Sequence, residues 1–295
     1  LLLERSAPGD LTRNMAGGDG RDSVELLYVG DRLYGSLAYT GNKVQETTFV
    51  SDEQQAVVGR IAYSPIVNSD WRWLVSLTGT DVFRPGDSNG GLASPRPFSL
   101  SNPPEVNIDD NSTKLVSVSN ANVTDAWAWN LESAVTYQNV LAQAGYFKYG
   151  IDQRGVTSLR GQGFNGWYVE GSWVLTGESR GYSAANAAFT GPKPRVSFSP
   201  EGGGWGAFEL AARYSTLDLN DNAGVVGGVL PAGGVRGGEQ RIGTVGLNWY
   251  PNPVLKFTLQ AQNVQLSRIG TLGTTPNANI GQNFNTIAFR SQLAF

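Results

Sequence analysis

Apolar and polar residues alternate with a period of two through most of this chain. In the last segment, 285–295, Ile287, Phe289, Leu293 and Phe295 share one parity, and Ala288, Arg290, Gln292 and Ala294 share the other. Successive side chains of an extended strand point to opposite faces, so the segment predicts a strand with one apolar face and one small or polar face. Segment 71–78 repeats the pattern, with Trp71, Trp73, Val75 and Leu77 opposite Arg72, Ser76 and Thr78. In 127–138, Trp127, Trp129, Leu131, Val135 and Tyr137 oppose Asn130, Glu132, Thr136 and Gln138. Strands are also predicted at 23–29, 33–40, 55–64, 103–109, 113–119, 140–149, 164–176, 205–217, 241–250 and 254–267, about thirteen in all. Segment 140–149 has no clear parity, and 1–22 reads as a loop rich in Gly, Pro and Asn.

Most of these strands approach the ~9–11 residues that cross a bilayer at a tilt. Taking the C-terminus as periplasmic, the turns near Gly30, Pro65, Asp110, Asn139 and Pro251 fall on one side and are short. The connections 41–54, 80–102, 120–126, 150–163, 218–240 and 268–283 fall on the other side and are mostly longer. Short turns inside and long loops outside are the pattern of a bacterial outer-membrane barrel. Segment 177–204 departs from it: a long connection stands where a short turn is due, so it is expected to hide a hairpin or to fold into the lumen. An odd strand count also departs from the even number of such barrels. Strands preceding Leu1, which is not an initiator Met, would restore it. The expectation is one all-β domain over 1–295: a transmembrane antiparallel β-barrel, incomplete at its N-terminal end.

Composition narrows the function. The chain has 38 Gly, 8 Trp, 11 Tyr and 12 Phe in 295 residues, with no Cys and no His. Without His there is no Ser-His triad, no imidazole acid or base and no His-ligated metal, so no enzyme, metal or cofactor is expected. A net charge of −3 leaves no basic footprint for nucleic acid. No apolar run reaches the ~18 residues of a membrane helix. A barrel accounts for this, because only alternate residues face lipid.

The inward parity carries Arg60, Arg72, Arg213, Lys256 and Arg290. Guanidinium groups bind phosphate through paired donors, and rings of Arg or Lys select anions in pores. The plain alternative is that barrel charges must point inward, because a lipid-facing Arg costs ~2–4 kcal/mol at the midplane. Inward Glu132, Glu170 and Glu209 would pair with some of these cations. Trp127, Trp129, Trp167, Trp173, Trp205, Trp249 and Phe295 share the outward parity and read as membrane-interface aromatics. Asp109-Asp110-Asn111 reads as a solvated turn rather than a calcium loop.

Several stretches resemble the phosphate- and polyphosphate-selective porins of Gram-negative bacteria. The strongest are 166–180 (GWYVEGSWVLTGESR), 204–215 (GWGAFELAARYS) with 217–220 (LDLN), and 246–253 (GLNWYPNP). Segments 3–6 (LERS) and 103–106 (PPEV) match more weakly, and Pro103 stands where the family usually has Arg. The resemblance implies a sixteen-stranded homotrimeric channel in the outer membrane, passing small anions such as phosphate. A general diffusion porin and a non-conducting structural or adhesive barrel stay open as alternatives.

Overall fold

The computed structural model describes residues 1–16, 18, 20–43, 53–87, 95–106, 114–154, 161–272 and 275–293. The turn at 109–111 and Phe295 lie outside these residues. The chain enters through a short extended segment and a helix, α1 (Ala7–Met15). Two strands follow, β1 (Arg21–Val29) and β2 (Leu33–Lys43), then β3 (Gln55–Val67) and β4 (Trp71–Arg84). A small hairpin comes next, β5 (Phe98–Asn102) with β6 (Val116–Asn120). The long strands resume with β7 (Val123–Tyr137), β8 (Val140–Gln153) and β9 (Gln162–Val174). A second hairpin, β10 (Arg180–Ser183) and β11 (Ala188–Pro192), encloses a 3-10 turn at Ala184–Asn186. The chain ends with β12 (Ala207–Asp221), β13 (Val235–Asn252), β14 (Leu255–Leu272) and β15 (Thr275–Leu293).

Eleven strands form one antiparallel sheet in the order β1-β2-β3-β4-β7-β8-β9-β12-β13-β14-β15, with β1 and β15 at its edges. The hairpins β5–β6 and β10–β11 are separate two-stranded sheets. The period-two pattern therefore overcounts the wall, because it places the strands of one insert within it. The expected hairpin of 103–109 with 113–119 is also shifted. Its first strand is Phe98–Asn102, and Pro103-Pro104 ends it because neither residue has an N–H to give a ladder. Segment 177–204 does contain a hairpin.

Residues 1–22 are not simply a loop. Ser6 caps α1, its hydroxyl accepting the Gly9 N–H at 3.4 Å, and Pro8 sits in the first turn. Arg21 closes the other end, donating to the carbonyls of Gly18, Ala16 and Arg13. Ala7, Leu11 and Met15 recur every fourth residue and make one apolar stripe, all of it buried. Burying a Leu or Met side chain stabilises by roughly 1.5–3 kcal/mol, so this stripe is what seats the helix.

The outer face of the sheet is apolar, as alternation predicts. Leu37, Ile61, Leu77, Leu131, Val169, Leu210, Leu247 and Leu259 are all exposed there. Aromatic residues run around this face at two heights. Trp71 packs on Tyr137, with Trp173 nearby in register, and Phe208, Trp249, Phe257 and Phe289 stack in a row. The second row pairs Tyr39 with Phe83, Trp129 with Tyr146, and Trp167 with Tyr214. Trp129 and Tyr137 are eight residues apart on β7, about 26 Å of rise, or ~20 Å across the membrane at a barrel tilt of ~40°. Trp127 lies just beyond the second row, and Trp249 donates its indole N–H to Trp205 O at 2.7 Å. Among the described residues no helix is long and apolar enough to cross a membrane.

Candidate functional site

The inner face holds three inserts: residues 1–16, the β5–β6 hairpin with residues 103–106 that follow β5, and the β10–β11 hairpin. Helix α1 and β5–β6 pack on the inner faces of β7, β8, β9 and β12. Leu11, Met15, Phe98, Leu100, Val116 and Val118 form one cluster with Phe147, Tyr149, Phe164 and Leu217 of the wall. This explains the unclear parity of 140–149: both faces of β8 are apolar, one toward lipid and one toward the inserts. Glycines mark the closest approaches. A β-carbon at Gly166 would lie 2.9 Å from Pro8 Cβ, and one at Gly246 would lie 2.7 Å from Leu2 Cδ2.

A buried polar cluster holds the inserts to the wall. Arg213 on β12 forms ion pairs with Glu105 at 2.6 Å and Glu170 at 3.0 Å, and donates to Glu4 O at 3.0 Å. The second Glu105 oxygen accepts the Ala7 N–H at 2.6 Å and the Ser215 hydroxyl at 2.5 Å. Glu105 has a left-handed backbone, φ 56°, which an L-residue adopts only where its surroundings compel it. A carboxylate at the start of α1 also meets the positive end of the helix dipole. Leu3 N–H donates to Gln260 at 2.9 Å, and Tyr149 OH donates to Pro8 O at 2.7 Å.

The five inward cations expected from parity have different surroundings. Arg213 is 6% exposed and fully engaged as described. Arg60 donates to Asn186 O at 2.7 Å and Ala187 O at 3.0 Å on the β10–β11 hairpin. Arg72 lies over the Tyr182 ring at 3.9 Å. Lys256 donates to Leu1 O at 3.1 Å and lies over the Tyr250 ring at 5.6 Å. Arg290 stands 3.5 Å from Glu4 with its side chain 44% exposed. Parity misses Arg5 and Arg180, which sit on the inserts. Arg180 pairs with buried Glu209, which also accepts from Asn248 at 3.0 Å and Tyr250 OH at 2.8 Å. The LERS segment is the only sign of Arg5 in the sequence, and a residue outside a strand has no parity to read.

Several cavities lie between the inserts and the wall, and two of the larger ones border inward cations and Leu1 together. One of about 500 Å³ is lined by Glu4, Arg5, Glu132, Tyr168, Arg213 and Arg290. The other, about 960 Å³, opens at the periplasmic end between the β10–β11 hairpin and β13–β14, and includes Arg180, Lys193, Arg195 and Lys256. Leu1 borders both.

An apolar outer face with two aromatic rows, and an antiparallel wall with inserts packed on its inner face, define an outer-membrane β-barrel of the porin type. A family model for the phosphate-selective porins O and P matches residues 2–295. The chain belongs to that family. It is 33% identical over 134 residues to an uncharacterized protein of Caulobacter vibrioides, covering 45% of this chain and 23% of that one. It is 29% identical over 136 residues to Porin O of Pseudomonas aeruginosa, covering 45% and 28%. The match thus spans only about a quarter of either relative. Among solved structures, OmpT of Vibrio cholerae in a trimer form aligns at TM-score 0.43 and 9% identity, over 92% of this chain and 64% of that one. The NanC porin aligns at 0.36 and 8%, over 94% and 97%.

Proposed function

We propose that this porin passes small anions such as phosphate or polyphosphate by passive diffusion, past the cavities lined by Arg5, Arg290 and Lys256. What supports this reading is a difference in solvent access. The inward carboxylates Glu105, Glu170 and Glu209 are 3%, 5% and 0% exposed, each bound to an arginine. Arg5 and the Arg290 side chain stay in contact with water. Glu4 beside Arg290 offsets part of this excess, as does half-buried Glu132, which lines the same cavity and, instead of the expected cation, is bound by Tyr168 OH at 2.8 Å and the Asn130 amide at 3.0 Å. A permeant ion responds to the local potential in a narrow, low-dielectric conduit rather than to the net charge of the chain. The family description, phosphate-selective porins, agrees with the reading.

The packed inserts favour a second reading, a non-conducting barrel, and conductance separates the two. In planar bilayers the reversal potential in a salt gradient is expected to show anion preference, and phosphate is expected to block chloride current. Arg5→Glu and Arg290→Glu should each lower the chloride-to-potassium permeability ratio. A cation-selective parent, or a ratio that neither reversal moves, refutes the anion reading. Absence of conductance favours the structural barrel. The family resemblance extends the proposal to a homotrimer, checked by the mass of the detergent-solubilised protein.

A further inference from the structure

The β10–β11 hairpin lies between two opposite parts of the wall. At its base, Arg180 donates to Ser172 on β9 at 3.3 Å and pairs with Glu209 on β12. At its tip, the 3-10 turn meets β3 and β4: Ala187 is fully buried and clusters with Ala62 and Leu74. The hairpin thus crosses the periplasmic half of the lumen. It makes no β-ladder with the wall, since its two strands form a sheet of their own.

The tip is held mainly by two arginines of the wall. Arg60 on β3 grips the carbonyls of Asn186 and Ala187 and lies over the Tyr34 ring at 5.5 Å. Arg72 on β4 stacks on Tyr182 at 3.9 Å, and its Nη1 is buried without a hydrogen-bond partner among the described residues. Tyr182 in turn meets Phe189 edge-on at 5.6 Å. A guanidinium with two donors on backbone carbonyls, and another pressed against a ring, are committed to the hairpin. We propose that Arg60 and Arg72 are positioning residues: they latch the β10–β11 hairpin across the lumen and thereby set the width of its periplasmic half. The proposal builds on the porin reading, but its latch can be tested separately.

The test compares the parent with a double variant, Arg60→Met with Arg72→Met, each with and without Ala187→Cys. The chain has no other cysteine, so labelling reports on position 187 alone. In the parent background the thiol introduced by Ala187→Cys is expected to react slowly with an aqueous maleimide, and in the double variant quickly. Freeing a bar that divides the lumen should raise single-channel conductance by about twofold, because current follows open cross-section. Open-state noise should rise with it, and the chloride-to-potassium ratio should hold. Arg60→Lys, which keeps one donor for the carbonyls, should fall between. Unchanged labelling in the double variant overturns the latch, as does an altered ion ratio at constant conductance, which would make these arginines ion ligands. Faster labelling in the double variant, with a parent that conducts nothing, leaves the latch standing and removes the porin reading instead.

Discussion

Replacing Glu105 by Ala should loosen helix α1 and the β5–β6 insert while leaving the wall intact. Glu105 joins three parts of the chain: the segment after β5, the first turn of α1 and strand β12. The change deletes a two-point ion pair with Arg213, whose Nε and Nη2 lie 3.0 and 2.6 Å from one carboxylate oxygen. It also orphans the Ala7 N–H and the Ser215 hydroxyl. Removing one partner of a buried pair costs about 3–5 kcal/mol. Arg213 keeps Glu170 at 3.0 Å, so the low end applies. About 3 kcal/mol shifts the ratio of docked to undocked inserts by roughly 150-fold. Glu105→Gln keeps the shape but must turn its amide N–H₂ toward donors on at least one side, so it should fall between. The assay is single-channel recording, with heat-modifiable gel migration as the check on the wall. Expected outcomes are higher conductance, added open-state noise and unchanged migration. A Glu105→Ala channel with parental conductance and noise would refute the argument that this cluster docks the inserts.

Leu259→Arg should destabilise the wall itself. Leu259 points outward between Leu247 and Phe289 and is 52% exposed, so an Arg there meets the ~2–4 kcal/mol cost of a charge on the lipid face. The readout is a lower urea midpoint in vesicles; an unchanged midpoint means that this face does not meet lipid. The register of β15 is open to a similar check, because the chain has no cysteine of its own. The thiol of Phe289→Cys should react with a lipid-phase reagent and that of Arg290→Cys with an aqueous one. The reverse pattern would turn β15 inside out.

The wall was legible in the sequence because lipid and lumen impose opposite demands on alternate residues. Trp71, Trp73 and Leu77 face outward while Arg72 and Ser76 face inward, as their parity requires. Helix α1 was written in the chain in another period. Its cap at Ser6, Pro8 in the first turn and the spacing of Ala7, Leu11 and Met15 are helix signals hidden among turn residues. The partners of inward charges were legible only in part: Glu170 and Glu209 do bind arginines, as their parity suggested. Parity puts Arg213 and Glu170 inside together, and they pair as neighbours on β12 and β9, but parity is silent on Glu105, 108 positions away from Arg213. Whether a cation faces water or a carboxylate depends on inserts whose path no local pattern records.

The failures of alternation carry information of their own. A wall residue facing water must be polar or small, and one facing an insert must match that insert. On β13 and β14 the inner positions include Asn248, Gln260 and Gln262, which meet the backbone of the inserts through hydrogen bonds, and Thr258, whose hydroxyl holds Asn248. On β8 the inner positions are Phe147 and Tyr149, and they meet Leu11 and its neighbours. A strand that reads apolar on both faces is therefore a wall strand with a core behind it. The same logic bears on charge. Carboxylates that dock inserts are withdrawn from the lumen together with the arginines that bind them, so the formal charge of −3 says little about the potential along the conduit. That potential is set by the side chains left in water, among them Glu4, Arg5, Glu132 and Arg290 around the cavity of about 500 Å³.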